Sequence, residues 1–257
     1  MFMATPTDTA TLATVHCHTL SATDWHTPAR LPGTAAPLRV FRAFVPAFVP
    51  DLPDWLALLA PAERERARRY HRPADQQRFV VGRGLLRVLL GHATAQHPAG
   101  LRFETYGNGK PRLAGPDAPS FNVSHAGEWV VIALAEAPVG IDVERIDPAF
   151  PFGDLLAHTF SLEERAQLAH NRHSRREFYT LWTRKEALSK ATAHGLSDYL
   201  DQLPVRDGTQ SLPADRLGHG GTWFVSSFSV AESYPAALAF GEPVLPRFYT
   251  ATTDWRP

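Results

Sequence analysis

The run "PVGIDVERI" at 138–146 sets Asp142 and Glu144 one residue apart among Val139, Ile141, Val143 and Ile146. In a β-strand side chains alternate between faces, so Val139, Ile141 and Val143 share one face and the two acids the other. Like charges side by side repel and need solvent, a cation or a basic partner. A solvated strand end before a turn at Asp147 and Pro148 would also accommodate them.

A third acid lies on a predicted helix over about 174–193, ending at Gly195 and containing "REFYTLWTRKEALSKATAHG". At about 100° per residue, Phe178, Leu181, Leu188 and Ala191 form the core stripe. Trp182, Glu186 and Lys190 follow one another at i, i+4, i+8 along its flank. Lys185 projects into the apolar stripe, where a lysine ordinarily snorkels to solvent. Asp142, Glu144 and Glu186 together make an all-oxygen set, with no cysteine and no HExxH pair. Hard ligands of this kind suit Mg²⁺, which keeps waters and completes its shell with substrate phosphate.

The elements that must position these residues read as α/β. Residues 1–37, rich in Thr, Ala and Pro, read as a loosely ordered leader in which "HCH" at 16–18 is incidental. An N-terminal α/β half follows over 38–137, with a strand at "LRVFRAF", a helix opened by Pro61, a helix over about 75–91, and strands near 101–105, 120–124 and 129–135. A C-terminal half over 138–257 repeats the order. Its strand 139–144 precedes a helix at "SLEERAQLAH", capped by Ser161 with Glu164 as capping box. The long helix comes next, then strands near 203–206, 222–230 and 236–240. Two such runs predict two pseudo-symmetric halves meeting near residue 138.

The totals exclude several classes. Acids and bases balance at 26 each in 257 residues, so no global charge points to nucleic acid, and the basic stretch "ERERARRYHR" at 63–72 suggests a local anion site. The single cysteine, Cys17, excludes an intrachain disulfide and a multi-cysteine zinc site. No Lys or Arg precedes Arg30 and no long apolar stretch follows the start, so a cytoplasmic, membrane-free protein is expected; it is also expected to be a monomer.

With both segments in view, the chain resembles the Sfp-type 4′-phosphopantetheinyl transferases. Their signatures G-[IV]-D-[VI]-E and W-[ST]-x-K-E-[AS]-x-x-K stand here as Gly140-Ile141-Asp142-Val143-Glu144 and Trp182-Thr183-Arg184-Lys185-Glu186-Ala187-Leu188-Ser189-Lys190. "GNGKPRL" at 107–113, "FNVSHAG" at 121–127 and the helix pair "LAPAERERARRY" and "QQRFVVGRGLLR" stand upstream in the family's order.

The resemblance implies transfer of the phosphopantetheine arm of coenzyme A to a serine of an apo acyl or peptidyl carrier protein, in fatty-acid, lysine or secondary-metabolite biosynthesis, with release of 3′,5′-ADP. It places Asp142, Glu144 and Glu186 around Mg²⁺ at the pyrophosphate. Glu186 is then the candidate base, with Glu144 as runner-up. Lys190 balances charge on the leaving 3′,5′-ADP, and Lys185 touches the pyrophosphate or the pantetheine end. Ser124 and His125 contact the coenzyme A phosphates, Lys110 and Pro111 flank the adenine nucleotide, and Arg66 and Arg78 grip the 3′-phosphate. Glu63 departs from the pattern, standing where a relative carries a basic residue. With Arg64, Arg68 and Arg69 nearby, the arginine that meets the phosphate is left open. Two rivals use the same acids: a carboxylate-metal phosphodiesterase or nuclease, which leaves the signature lysines unexplained, and a coenzyme A or carrier-binding module without catalysis.

Overall fold

The computed structural model describes residues 11–105, 109–170, 173–192, 200–217 and 221–256. Its strands are β1 (Leu12–Thr19), β2 (Trp25–His26), β3 (Leu38–Phe44), β4 (Phe103–Thr105), β5 (Pro111–Leu113), β6 (Ser120–Ala126), β7 (Trp129–Ala135), β8 (Val139–Val143), β9 (Gly208–Pro213), β10 (Gly221–Ala231), β11 (Tyr234–Phe240) and β12 (Arg247–Thr250). The α-helices are α1 (Val45–Phe48), α2 (Leu52–Ala57), α3 (Pro61–Arg68), α4 (Pro73–Thr94), α5 (Leu156–Thr159), α6 (Leu162–His170) and α7 (Ser174–Thr192).

Two five-stranded sheets carry the fold, in the orders β2-β12-β3-β7-β6 and β8-β11-β10-β1-β9. Within them β3-β7-β6 and β8-β11-β10 are both antiparallel trios whose last strand in sequence is central. Each trio is crossed by one long helix, α4 in the first half and α7 in the second. The expected pseudo-symmetric α/β halves are therefore present. The aliphatic faces of β8 and β11 meet Leu38, Val40, Val131 and Ala133 of the first sheet in a core shared by the halves.

The leader expectation is corrected. β1 is an interior strand of the second sheet, parallel to β10 and antiparallel to β9, with Ala13, Val15 and Cys17 buried. The segment "TLATVHCHT" does alternate, but its inward residues are small, so the signal is weak beside its Thr-rich composition. His16 stacks on Phe224 and bonds Thr209, and His18 bonds Ser226, so both histidines have partners within the sheet. β12, near the other chain end, returns to pair with β3 of the first sheet. The two ends of the chain thus add strands to the halves opposite their own, crossing the expected division at 138. Residues 203–206 form no strand; the chain there supplies Val205 to the core and the strand follows at β9. The first ten residues, Gly107 and Asn108, and the expected helix end at Gly195 lie outside the described residues. Among the described residues, no helix is long and apolar enough to cross a membrane.

Candidate active site

The halves meet where edge strand β6 faces edge strand β8. An edge strand exposes unpaired backbone groups, and here first-half side chains satisfy those of β8. Asn122 Oδ1 accepts from Ile141 N at 2.8 Å, and Lys110 Nζ donates to Val139 O at 3.0 Å. Lys110 also donates to Lys190 O at 2.6 Å, tying the end of α7 to the same seam. On its other side β8 lies against α7 so closely that a Cβ on Gly140 would collide with the Ala187 carbonyl oxygen and the Ala191 amide. The glycine of the first signature is therefore what lets Glu186 approach Asp142.

Asp142 is 3% exposed. Its Oδ1 accepts from Ser124 Oγ at 2.8 Å and from Lys190 Nζ at 2.6 Å, while its Oδ2 is buried with no partner among the described residues. Burial pushes its pKa up, against the pull of Lys190 and the hydrogen bonds. Glu144 is raised to about 7, first by burial and then by the Asp142 charge; Lys190 and a hydrogen bond from Trp182 oppose this. Glu186 is likewise raised to about 7 by burial, Asp142 and Glu144, with Lys190 again opposing.

These acids are close enough to raise one another, yet among the described residues no group of three or more His, Cys, Asp or Glu side chains stands ready to hold a metal ion. The seam is short of positive charge: three carboxylates draw on the Lys190 ammonium, and one buried carboxylate oxygen has no hydrogen-bond partner among the described residues. Such an open oxygen donor set fits a hard divalent cation that brings its own waters and a phosphate ligand. Asp142, Glu144 and Glu186 are the residues that could hold it.

The first-half residues surround this cluster unevenly. Burial lowers the pKa of His125, and the charges of Arg78 and Lys190 lower it further. Arg78 donates to Gly127 O at 2.6 Å and pairs with Asp75. Burial pushes Lys110 down to about 8. Lys110 and Pro111 line a cavity of about 570 Å³ with Leu113, Phe121, Pro138 and Ala191. Arg66 sits apart, its guanidinium 5.1 Å from the Phe79 ring centroid, and lines an open hollow with Arg69 and Tyr70. Glu63 faces inward onto Arg83 and Arg87, with Oε2 at 2.7 Å from Arg87 Nε.

Lys185 is not brought to the cluster. It is 1% exposed, pairs with Glu164 at 2.9 Å and donates to the carbonyls of Leu200 and Leu203 at 2.7 and 2.6 Å. Both snorkelling and the expected contact with pyrophosphate or pantetheine are therefore corrected. The buried partner is the capping-box glutamate, which also accepts from Ser161 N at 2.9 Å and Val205 N at 3.2 Å. Nothing in the local pattern of "SLEER" marks that second use. Asn122 was legible but overlooked: it lies two residues before Ser124 and shares its face of the strand. The contact between Trp182 and Glu144 was hidden behind the indole's value as packing volume.

Comparison with known proteins finds relatives over most of the chain. Residues 138–239 match the model of the 4′-phosphopantetheinyl transferase superfamily, and residues 48–137 match that of the 4′-phosphopantetheinyl transferase N-terminal region. A 4′-phosphopantetheinyl transferase of Bacillus subtilis is 32% identical over 193 residues, covering 73% of this chain and 84% of the relative. The 4′-phosphopantetheinyl transferase Sfp of Bacillus subtilis is 30% identical over 203 residues, covering 76% and 88%. A putative 4′-phosphopantetheinyl transferase of Synechocystis sp. is 39% identical over 160 residues, covering 60% and 65%.

Proposed function

The chain belongs to the 4′-phosphopantetheinyl transferase family, and from that premise we propose that it moves the phosphopantetheine arm of coenzyme A onto a serine of an apo acyl or peptidyl carrier protein, releasing 3′,5′-ADP. The observation that carries this reading is the charge-deficient seam, where Asp142, Glu144 and Glu186 stand beside Lys190 and Ser124. A polyanionic substrate arriving with a divalent cation supplies what that cluster lacks.

Asp142, Glu144 and Glu186 would hold Mg²⁺, which when bound neutralises phosphate charge and polarises the scissile phosphate. Each remaining role belongs to this chain. Glu186 takes the carrier serine's proton directly or through water, and Glu144 is the alternate. Lys190 balances charge on the departing 3′,5′-ADP as the phosphate–oxygen bond breaks. Ser124 and His125 hold the phosphates, and Lys110 and Pro111 border the nucleotide. Arg66, beside Arg69 and Tyr70 in the open hollow, and Arg78 are the two guanidinium groups proposed for the 3′-phosphate. The site is assembled from both halves of one chain, in keeping with a monomer. The free, buried Cys17 suits a cytoplasmic setting.

The test is intact-mass spectrometry of an apo carrier protein incubated with the chain and coenzyme A, with Mg²⁺ or with EDTA. A metal-dependent gain of one phosphopantetheine is expected. No gain on fatty-acid, polyketide and peptide carriers, together with measurable coenzyme A binding, would favour the binding-module reading.

A further inference from the structure

Arg184 occupies the variable position of the second signature and is 2% exposed. Each of its three nitrogens donates. Nε donates to Ser227 Oγ at 2.6 Å, Nη1 to Val205 O at 2.7 Å, and Nη2 to Thr19 Oγ1 at 2.9 Å and to Asp207 Oδ1 at 2.6 Å. Thr19 and Ser227 are register partners on β1 and β10, so one guanidinium grips a single rung of the sheet and the 205–207 segment together. As a stability device this is poor, because a buried cation loses hydration and its one acidic partner, Asp207, has a side chain 68% exposed. What the planar fork supplies is direction. Glu186 lies two residues further on, about 200° around the helix, so whatever fixes Arg184 also fixes the face that Glu186 presents to β8.

We propose that Arg184 is a positioning residue which, through β1 and the 205–207 segment, sets the rotation of α7 and aims Glu186 at Asp142. Lys185 holds the adjoining turn to Glu164 and to the Leu200 and Leu203 carbonyls, so the brace spans two successive helix positions. The N-terminal strand, outside both family-matched ranges of 48–137 and 138–239, thereby becomes part of the catalytic unit.

This inference rests on the transferase reading for its kinetic arm, and a second arm is independent of it. Full-length Arg184→Met, Arg184→Lys and Thr19→Val are compared with the parent for transfer kcat, KM for coenzyme A, melting midpoint and amide hydrogen exchange across 182–190. Arg184→Met is expected to stay folded and lose kcat roughly tenfold to a hundredfold, as small misplacements of catalytic groups do. Its KM for coenzyme A should hold within about twofold because the phosphate grips are untouched. Exchange around Glu186 should rise. Arg184→Lys keeps the charge without the fork and should recover part of kcat. If Arg184→Met does not fold, Thr19→Val, which removes one arm at an exposed residue, carries the same prediction at about two- to threefold. A folded Arg184→Met, or failing that Thr19→Val, with parental kcat and parental exchange would overturn the brace. A parent that transfers nothing would sink the transferase reading, and the exchange pattern would still decide the brace.

Discussion

Two buried charge clusters, one in each half, answer the same problem in opposite ways. In the first half Glu63 is opposed by burial, but Arg83, Arg87 and the Ala60 amide outweigh it and its pKa falls. Arg87 Nη1 in turn donates to the Pro98 and Leu101 carbonyls at 2.8 and 3.2 Å. Both carboxylate oxygens of Glu63 meet guanidinium donors, as in a structural ion pair. At the seam, three carboxylates share Lys190, an Asp142 oxygen has no partner among the described residues, and the pKa values rise. A matched cluster holds the fold, whereas a mismatched one stores an unmet demand that a ligand can meet. The Lys185–Glu164 pair belongs with Glu63: buried, matched, and away from the chemistry despite its place in a signature.

The sharpest way to break this contrast is to remove one member of each cluster. Asp142→Ala or Glu186→Ala should reduce transfer by about a hundredfold or more, since each removes charge stabilisation from the reacting centre. For Glu186→Ala, circular dichroism should show a melting midpoint at or above the parent's, because an acid repelled by Asp142 and Glu144 has gone. Retained turnover in either purified variant would defeat the assignment. Glu63→Gln should do the reverse. It strands the Arg87 guanidinium, which is 1% exposed, and should cost about 3 kcal/mol of stability. The folded fraction, measured below its melting transition, should keep kcat.

Gly140→Ala tests whether the seam's geometry, and not only its charge, matters. The added methyl must push α7 off β8, costing about 1–3 kcal/mol as overpacking does and lowering kcat with it. A variant that melts and turns over like the parent would show that the helix has room the packing denies.

A smaller effect separates the clusters by pH. Glu144 and Glu186 are raised from 4.5 to about 7 in the folded, metal-free chain. Their contribution to stability is therefore fully present below pH 4.5 and is lost as the pH rises through about 7. Glu63, with a lowered pKa, behaves oppositely: its contribution is present above the unfolded value and lost in acid. Melting curves of the parent and of Glu186→Gln without metal should converge in acid and separate towards neutral pH, with the parent the less stable. A constant difference across this range would refute the seam's shortage of positive charge. The smallest effect expected is that of Arg66→Ala, which should raise KM for coenzyme A about tenfold at unchanged kcat, as loss of uniform binding does.

The chemistry was more legible than the architecture. Asp142, Glu144, Glu186 and Lys190 announce themselves by period: alternation on a strand and four-residue spacing on a helix. Both are local rules, and the structure brings all four together. Lys185 obeys the same helical rule, yet its partner, Glu164, lies on α6 and its acceptors lie at 200 and 203, contacts that one helix cannot display. β1 was missed because its inward residues are small and the strand beside it, β10, is some two hundred residues away in sequence. Arg184 was passed over because a variable position in a motif carries no pattern; only burial and the Thr19–Ser227 rung reveal it.

The central claim is that the mismatch at the seam is a divalent-cation site. Electron paramagnetic resonance titration of Mn²⁺ into the chain with coenzyme A, for the parent, Asp142→Asn and Glu63→Gln, tests it most directly. The account predicts one bound Mn²⁺ in the parent and in folded Glu63→Gln, and its loss in Asp142→Asn. Parental Mn²⁺ binding by Asp142→Asn would contradict it.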